Sequence, residues 1–467
     1  MWADRPSPAA RKKLVERLAD VLPPPGGQAR TNALPFACRA DPRTLAEVLF
    51  EEPGFLWLDR PQEALLGWNP IARLTLTNGR AFIEGPCGSL EWNCHGFDLV
   101  EAALEAWGGP AGAKLCGYLG YELGMELEGL HPYERSSADL PDLHLALYDW
   151  SLEYRSGDWQ IRGTDAWREP PSIPEIRVPV SPPLVSRDDH ADVASTPTPD
   201  GFRDSVGRTV HRIYDGELFQ VNLCRRLETS LGSSEIWPLY LRMRGISPAS
   251  HGAFIRTGPA SAVLSVSPEL FLSVRDQVAR SCPIKGTRPR GATPIQDRAL
   301  AAELSASEKD RAELAMIVDV TRNDLGRVCL PGSVAVPRHA ELVSLPTVHH
   351  TYSEVTGRLR PECGPADLLR ACFPPASISG APKIRAMEVA AIEEPYRRGP
   401  CMGSIGWISL SGELELSVAI RTAVAADARV WYLAGCGITA GSVPDEELAE
   451  SEAKAAAFLQ AVSCGAV

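Results

Sequence analysis

Residues 282–291 read CPIKGTRPRG and place Lys285 between an apolar, strand-like run and a glycine–threonine turn. Upstream, residues 262–274, AVLSVSPELFLSV, alternate apolar and small residues around a Pro-Glu interruption, a pattern that predicts two β-strands. We therefore expect Glu269 and Lys285 to face each other across paired strands and to share one pocket. Because lysine is rarely buried, a single lysine at a strand end is usually solvated. The interpretation of Lys285 thus depends on the rest of the chain.

The composition limits the class of protein. The chain has 467 residues, 44% of them hydrophobic, which suggests two domains or one large α/β unit with a smaller one, and a sizeable core. Its net charge of −12 argues against a nucleic-acid partner, because phosphate binding requires a positive surface. No apolar run reaches the length of a membrane-spanning helix, so we expect no membrane partner. The twelve cysteines occur singly and the first residues lack a signal-peptide core, which predicts reduced thiols and a cytoplasmic location.

A proline-rich segment divides the chain. Residues 169–199 contain eight prolines and little periodicity, which predicts a linker. We expect an N-terminal α+β domain over residues 1–168, where short apolar runs alternate with turns. Residues 200–467 would form a second domain that carries the chemistry.

Two helices of the second region carry acidic residues at helical spacing. Residues 305–328, SASEKDRAELAMIVDVTRNDLGRV, predict one helix with Asp310 and Glu313 on one face. In the last helix, from residue 444, Glu447, Glu450 and Lys454 recur at i, i+3 and i+7. Carboxylates from two helices can hold Mg²⁺, which completes its shell with water and substrate oxygens. The simpler alternative is a solvated face with an ion pair that contributes ~0.3 kcal/mol.

Arg421 is the third unusual charge of this region. It stands in residues 416–422, LSVAIRT, which are otherwise apolar or small and which predict a strand. An unpaired charge buried there would cost several kcal/mol. We therefore expect an anion to bind Arg421.

The motifs, taken in order, resemble a known family. They are FQVNL, SPELF, PIKGTRPRG, DRAELAMIVDVTRNDLGRV, SISGAPKIRAME, GSIGWISL, SVAIRTA, AGCGITAGS and a final E-x-x-E-x-x-x-K. This set is similar to the chorismate-utilising enzymes, which include the components I of anthranilate synthase and aminodeoxychorismate synthase. The likeness covers residues 200–467 and is weaker before the linker. It implies an α+β fold in which antiparallel β-sheets pack face to face, with outer helices and an active site between the sheets.

The resemblance also implies roles for single residues. Lys285 would attack chorismate, Glu269 would protonate the departing 4-hydroxyl, and Arg421 would bind the enolpyruvyl carboxylate. Mg²⁺ would bind the ring carboxylate, held at a site to which the family likeness assigns Asp310, Glu313, Glu447 and Glu450, with Glu313 and Glu450 as the expected direct ligands. The positions that match the substrate pocket are Gln220, Thr287, His350, Ser377, Cys401, Gly435, Gly437 and Lys454. At Cys401 the family usually has an aromatic residue, so one substrate contact differs here.

Within the family, Lys285 indicates which reaction to expect. Anthranilate synthases resemble this segment but have alanine there, whereas the para-aminating enzymes have lysine. The resemblance thus implies a synthase that converts chorismate and ammonia to 4-amino-4-deoxychorismate for para-aminobenzoate and folate synthesis, through a covalent lysine adduct. Anthranilate synthase component I remains an alternative. An isochorismate or salicylate synthase is disfavoured because those enzymes carry lysine at the position of Gln220, and a non-catalytic chorismate-binding subunit is a further alternative.

Amination also implies a partner. Ammonia would come from a separate glutaminase subunit, because a glutaminase needs a reactive cysteine in a sharp glycine-flanked turn. The sequence has one Gly-x-Cys-x-Gly run, residues 399–403, and its Cys401 is a position that the resemblance assigns to the substrate pocket.

Overall fold

The protein forms two large antiparallel β-sheets with helices around them, so the predicted α+β class is confirmed. The structure is a computed structural model that describes residues 7–463 except 26–30, 37, 39, 110–111, 131–132, 137–138, 171–191 and 346–347.

The described helices lie between groups of strands. They are α1 (Pro8–Val21), α2 (Pro42–Leu49), α3 (Gly96–Trp107), α4 (Glu122–Leu127), α5 (Pro199–Tyr214), α6 (Ile236–Ile246), α7 (Pro294–Ala306), α8 (Glu308–Gly326), α9 (Pro365–Cys372), α10 (Lys383–Glu393) and α11 (Pro444–Ser463), with 3-10 helices at Ser233–Glu235 and Ala376–Ile378.

The described strands are β1 (Thr31–Pro35), β2 (Leu56–Asp59), β3 (Glu63–Gly67), β4 (Ala72–Thr77), β5 (Arg80–Gly85), β6 (Gly88–Asn93), β7 (Lys114–Leu119), β8 (Leu143–Tyr148), β9 (Trp150–Arg155), β10 (Asp158–Thr164), β11 (Ala194–Thr196), β12 (Gln220–Ser230), β13 (His251–Gly258), β14 (Ser261–Ser267), β15 (Leu270–Arg275), β16 (Val278–Cys282), β17 (Ile284–Pro289), β18 (Ala335–Ser344), β19 (Val348–Arg358), β20 (Gly380–Ala381), β21 (Ser404–Ser409), β22 (Leu414–Val418), β23 (Thr422–Ala426) and β24 (Arg429–Ile438).

Both sheets contain strands from the first and the second half of the chain. The first sheet has the order β1-β10-β9-β3-β2-β13-β14-β23-β24-β12-β11, with β20 beside β12. The second has the order β17-β19-β16-β15-β22-β21-β7-β8-β4-β5-β6, with β18 beside β19. The halves join where β2 pairs with β13 and where β7 pairs with β21. The proposed domains, 1–168 and 200–467, therefore do not coincide with the division between the sheets.

The predicted linker over residues 169–199 lies largely outside the described residues. Its last part is ordered into the fold, because β11 pairs with β12 and α5 begins at Pro199.

Two apolar clusters hold the layers together. The larger contains side chains from both sheets, such as Leu58 of the first and Leu115 of the second, together with α1 and α3. The second cluster covers the other face of the first sheet, where α6 and α11 pack through Trp237 and Phe458. Successive side chains along a strand of the first sheet therefore point alternately into the two clusters. Among the described helices, none combines the length and the apolar character needed to cross a membrane.

One local prediction is confirmed and another is wrong. The helix predicted within residues 305–328 is α8, which begins after Ser307, whose hydroxyl accepts a hydrogen bond from the Asp310 amide at 3.2 Å as the N-cap, while residues 305–306 end α7. The strand predicted over residues 416–422 is divided. Arg421 lies between β22 and β23 with φ of 50°, a left-handed conformation that interrupts the strand.

Candidate active site

Glu269 and Lys285 are neighbours, although not in the predicted way. Glu269 directly precedes β15, which pairs with β16, whereas Lys285 lies on β17, which pairs with β19. The expectation that they face each other across paired strands is wrong, because β16 forms the hairpin with β15 and the chain then turns β17 onto β19. Their charges nevertheless interact, since each side chain influences the pKa of the other.

Glu269 has the properties of a general acid. Its side chain is 4% exposed, and burial raises the pKa of its carboxyl to about 7, against the opposing effects of the Ser377 hydroxyl and the Lys285 ammonium. A large share of this carboxyl is therefore protonated at neutral pH. Such a group can donate a proton to a leaving oxygen.

Lys285 is half-buried and carries an amine that is only partly satisfied. Its Nζ donates a hydrogen bond to the carbonyl of Ser377 at 3.3 Å, and the Thr351 hydroxyl donates to the backbone carbonyl of Lys285. Burial lowers the pKa of Lys285, an effect that Glu313 opposes and Lys454 reinforces. A lowered pKa increases the fraction of free amine, which is the nucleophilic form.

His350 and Thr287 lie opposite each other on β19 and β17. The Thr287 hydroxyl and Nδ1 of His350 are 2.9 Å apart, and burial, with the nearby Arg421, lowers the pKa of His350 to about 4. The ring is therefore neutral near pH 7. Its Nε2 is buried and has no hydrogen-bond partner among the described residues, so it is available to a ligand.

Arg421 is half-buried at the turn between β22 and β23. Within the described part of the chain its guanidinium forms no ion pair, and burial lowers its pKa although Tyr432 and Glu269 oppose this. The buried thiol of Cys401 donates to the carbonyl of Thr422 at 3.3 Å, so Cys401 supports the turn that carries Arg421. A guanidinium left without a carboxylate is suited to an anionic ligand.

Gln220 and Gly437 border the amine of Lys285. Gln220 begins β12 and is 1% exposed, and its Oε1 has no partner in the described residues. A Cβ on Gly437 would collide with Nε2 of Gln220 and would lie 3.4 Å from Nζ of Lys285. Glycine at 437 therefore keeps the amide and the amine accessible to each other.

Gly435 has a packing role. A Cβ there would lie 2.6 Å from Sγ of Cys224 and 2.9 Å from Nδ2 of Asn222. Its carbonyl accepts a hydrogen bond from Nζ of Lys454 at 2.9 Å, which fixes the strand against α11.

The structure brings together the two predicted metal-site residues of α11. Glu447, Glu450 and Cys436 offer potential ligand atoms that all lie within 4.8 Å of one another. Glu447 is buried, and its Oε1 accepts a hydrogen bond from Ser442 at 2.7 Å while its Oε2 has no partner among the described residues. Glu450 forms an ion pair with Lys454 at 2.7 Å, as expected from their spacing.

The two predicted residues of α8 are outside that group. Asp310 accepts a hydrogen bond from Arg288 at 3.3 Å. Burial raises the pKa of Glu313, and the charges of Asp310 and Glu450 raise it further although Lys285 and Lys309 oppose them. Carboxylates of both helices therefore repel one another electrostatically, and a divalent cation held by oxygen ligands would offset this repulsion.

Cys436 was not predicted as a neighbour of these carboxylates. It alternates with Gly435 and Gly437 along β24, so its side chain points to the opposite face of the strand, into an apolar cluster. Its thiol donates to the backbone carbonyl of Glu447 at 3.2 Å. Sulfur is a poor ligand for Mg²⁺, so we interpret this thiol as a packing contact.

The sequence matches the family of chorismate binding enzymes over residues 52–460. The chain belongs to the chorismate binding enzymes. Among the curated relatives of this chorismate binding enzyme is aminodeoxychorismate synthase component 1 of Klebsiella aerogenes, 39% identical over 72% of the chain and 73% of the relative. The protein of the same name from Salmonella typhimurium is 37% identical over 72% of this chain and 73% of that relative. Anthranilate synthase component 1 of Arthrobacter globiformis is 31% identical over 85% and 82%.

Solved structures agree with the fold of this chorismate binding enzyme. Anthranilate synthase component I from Streptococcus pneumoniae TIGR4 superimposes with a TM-score of 0.75 at 26% identity, over 86% of this chain and 93% of that chain. The isochorismate synthase MenF from Escherichia coli has the same TM-score at 19% identity over 97% and 99%, which supports the fold alone.

Proposed function

We propose that this chorismate binding enzyme is an aminodeoxychorismate synthase component I, which converts chorismate and ammonia to 4-amino-4-deoxychorismate for para-aminobenzoate and folate synthesis. The observation that carries the proposal is Lys285, a half-buried amine of lowered pKa near Glu269, a carboxyl whose pKa burial raises to about 7. The relatives of that name, at 36–39% identity, support it.

Each step of the proposed reaction has a group to perform it. The free amine of Lys285 forms a bond to ring C2, the ring double bonds shift, and the C4–O bond breaks as Glu269 gives its proton to the departing hydroxyl, which leaves as water. The carboxylate of Glu269 then takes a proton from the new secondary ammonium. Ammonia next forms a bond at C4, the double bonds shift back, and the C2–N bond breaks as Glu269 gives its proton to the departing nitrogen of Lys285. The carboxylate of Glu269 then takes a proton from the new ammonium group at C4. The sum is chorismate and ammonia in, aminodeoxychorismate and water out.

The charged residues around this pair would bind the substrate. Arg421 has no ion pair within the described residues, so it can take the enolpyruvyl carboxylate in a charge-assisted contact, and Nε2 of His350 can bond a second polar group. Mg²⁺ would be held by Glu313 and Glu450, whose charges act on each other, with Glu447 and Asp310 nearby, and when bound it would neutralise the ring carboxylate.

Product identification tests this function directly. The purified protein is incubated with chorismate, an ammonium salt and Mg²⁺ near pH 8.5, and the products are separated and identified by mass spectrometry. We expect 4-amino-4-deoxychorismate. Anthranilate as the main product would instead support the alternative suggested by the Arthrobacter globiformis relative, isochorismate or salicylate would support water as the nucleophile, and unchanged chorismate would support a non-catalytic subunit.

We also propose a separate glutaminase partner and a cytoplasmic location. Ammonia is scarce at neutral pH, where ammonium dominates. The one Gly-x-Cys-x-Gly run of the sequence, residues 399–403, contains Cys401, a buried thiol whose pKa burial raises to about 12, so it lacks the reactive thiolate that a glutaminase needs. The eleven cysteines in the described residues are free thiols, which supports a reducing compartment. The isolated protein should use ammonium salts and should be inert with glutamine; efficient glutamine-dependent turnover by this chain alone would contradict the partner.

A further inference from the structure

Arg398 is a buried arginine behind the site that the proposed reaction does not use. It lies in the connection between α10 and β21, and it is 3% exposed. Burying a guanidinium is costly unless its charge is paired and its donors are satisfied. Both oxygens of Glu394 pair with it, at 2.8 Å to Nε and 2.6 Å to Nη2.

The remaining donors of Arg398 bind two backbone segments that border Lys285. Nη1 donates to the carbonyl of Ile378 at 3.1 Å, and Nη2 donates to the carbonyl of Asn222 at 2.7 Å. Ile378 follows Ser377, whose carbonyl accepts the hydrogen bond from the Lys285 amine. Asn222 lies two residues after Gln220 on β12. One guanidinium therefore connects the 3-10 turn that holds the nucleophile to the strand that begins at the buried amide.

Residues from the first half of the chain hold Arg398 from its other side. Its guanidinium lies 4.4 Å from the ring centre of Tyr121, and Glu122 accepts hydrogen bonds from the amides of Arg398 at 2.7 Å and Gly399 at 3.0 Å. Tyr121 and Glu122 belong to the glycine-rich segment 117–124, GYLGYELG, which has no role in the reaction proposed above. This segment thus fixes the orientation of the arginine.

We propose that Arg398 is a positioning residue: it fixes the Ser377–Ile378 turn against β12 and so sets where the Lys285 amine stands relative to the bound substrate. The inference rests on the proposed function, in which Lys285 attacks the ring. Arg398 contacts neither the amine nor the substrate pocket directly. Lysine cannot replace it, because the planar guanidinium makes four hydrogen bonds here, two of them to one carboxylate, whereas a lysine ammonium has only three donors.

The neighbouring Arg397 offers a matched control. It is also buried, at 7% exposure, and its Nη2 donates to Asp142 at 2.6 Å and its Nη1 to the carbonyl of Tyr133 at 3.2 Å. Neither contact involves the turn at Ser377. Arg397→Lys should therefore lower stability as Arg398→Lys does, without disturbing the position of Lys285.

The experiment compares Arg398→Lys, Arg397→Lys and the parent by thermal unfolding, by kcat and KM for chorismate, and by the rate at which the peptide containing Lys285 acquires a substrate adduct without ammonia. We expect Arg398→Lys to lower kcat and the adduct rate about 10- to 100-fold with KM within about threefold, because small misplacements of a reacting group have effects of this size. Arg397→Lys should keep kcat within about twofold. Equal kcat for the two variants would reduce Arg398 to a structural residue.

Two further measurements distinguish a failure of the proposed function from a failure of the positioning role of Arg398. If the parent itself forms neither adduct nor 4-amino product, the proposed function is wrong, and positioning is then tested by the rate at which an acylating reagent labels Lys285 in the three proteins; equal rates overturn it. If Arg398→Lys does not fold, Glu394→Gln removes the charge that orients Arg398 and should lower kcat with little change in KM. Parent-like kcat in folded Glu394→Gln would also contradict the proposal.

Discussion

The lysine–glutamate pair that lies between the two sheets differs from the lysine and glutamate of the candidate active site. Lys114 on β7 and Glu153 on β9 join the two sheets with an ion pair of 2.6 Å. Lys285 and Glu269 form no ion pair, although their charges influence each other. Burial acts on both acids, which are 6% and 4% exposed, but the pKa of Glu153 is lowered whereas that of Glu269 is raised to about 7.

The number of close cations explains the difference. Glu153 has Lys114, Arg162 at 3.3 Å and Arg155 at 3.6 Å, and together they outweigh the desolvation that would raise its pKa. Glu269 has no cation at ion-pair distance among the described residues, so desolvation prevails. A complete pair stabilises the fold, and an incomplete pair retains a proton and a free amine for chemistry.

The largest expected contrast concerns the two lysines. Lys285→Ala should lower 4-amination by about 10³-fold or more with nearly unchanged stability, because the nucleophile is lost. Remaining product should shift toward amination at C2. Lys114→Ala should keep activity per folded molecule but lower the free energy of unfolding by about 1.5–3 kcal/mol, because buried Glu153 loses its shortest charged hydrogen bond and retains only Arg162 and Arg155.

Steady-state kinetics and urea unfolding of both variants measure this contrast. Full 4-amination by Lys285→Ala would eliminate the covalent role. A Lys114→Ala protein with parent stability would show that the pair between the sheets has no net structural value.

The two acids should respond to pH with opposite signs. In the folded protein the pKa of Glu269 is about 7, against 4.5 for an ordinary glutamate. Ionisation of Glu269 therefore lowers the free energy of unfolding progressively as the pH rises from 4.5 to 7. Above pH 7 the full loss, about 3 kcal/mol, is reached. Glu269→Gln should therefore stabilise the protein at pH 8.5. Glu153→Gln should destabilise the protein at neutral pH. A carboxyl whose pKa is lowered by folding stabilises the fold at any pH above its pKa in the unfolded chain, so the difference in stability between this variant and the parent should disappear as the pH falls.

The pH dependence of catalysis also distinguishes Glu269 from Glu153. As a general acid, Glu269 must be protonated, so kcat/KM of the parent should fall as pH rises through about 7. Glu269→Gln should lower kcat about 10²- to 10⁴-fold and remove this dependence, whereas Glu153→Gln should retain it. A pH–rate profile that is the same in the parent and in Glu269→Gln would assign the proton to another group.

The carboxylates of α8 and α11 are a third kind of acid in this protein, because a bound metal ion would neutralise their charge. Glu450→Gln and Glu313→Gln should each raise the Mg²⁺ concentration for half-maximal activity by about tenfold or more, since each removes a charged oxygen near a hard cation. Glu446→Gln on the same helix is the control, because Glu446 is exposed and outside the cluster. Calorimetric titration with Mg²⁺ provides a readout without turnover. Identical titrations of all three variants would make these ordinary surface glutamates.

The smallest effect is expected when both partners of the structural pair are removed. The double variant Lys114→Met, Glu153→Met should stay within about 1 kcal/mol of the parent, because replacing a whole buried pair by apolar side chains avoids an unpaired charge. Denaturant unfolding measures it against the single variants. If the losses of the two singles simply add, the lysine and the glutamate act independently.

Sequence reasoning succeeded where structure is local and failed where it depends on distant partners. Helices α8 and α11 were predicted from residues that recur at helical spacing. The partners of β15 and β17 were not, because strand pairing is set by the assembled sheet. The turn at Arg421 was missed since its neighbours are apolar on both sides.

The candidate site shows the same limit. Lys285 and Glu269 were found from motifs that lie close together in the sequence. Arg398 was missed although the run EEPYRR at 393–398 is densely charged, because its significance comes from Tyr121 and Glu122, nearly three hundred residues earlier. No local pattern contains that contact.

The interleaving of the two halves has a consequence for synthesis. Strand β2 is synthesised early, but its partner β13 begins at His251. At a synthesis rate of about 5–20 residues per second, the edge of β2 therefore stays without this partner for about 10–40 s. Throughout this interval the nascent chain presents unpaired, apolar strand edges of the kind that associate with other chains. The second sheet cannot be finished before β22 has left the ribosome, and the first not before β24, because β22 pairs with β15 and β24 pairs with β12 and β23. This enzyme should therefore depend on chaperone capacity during expression.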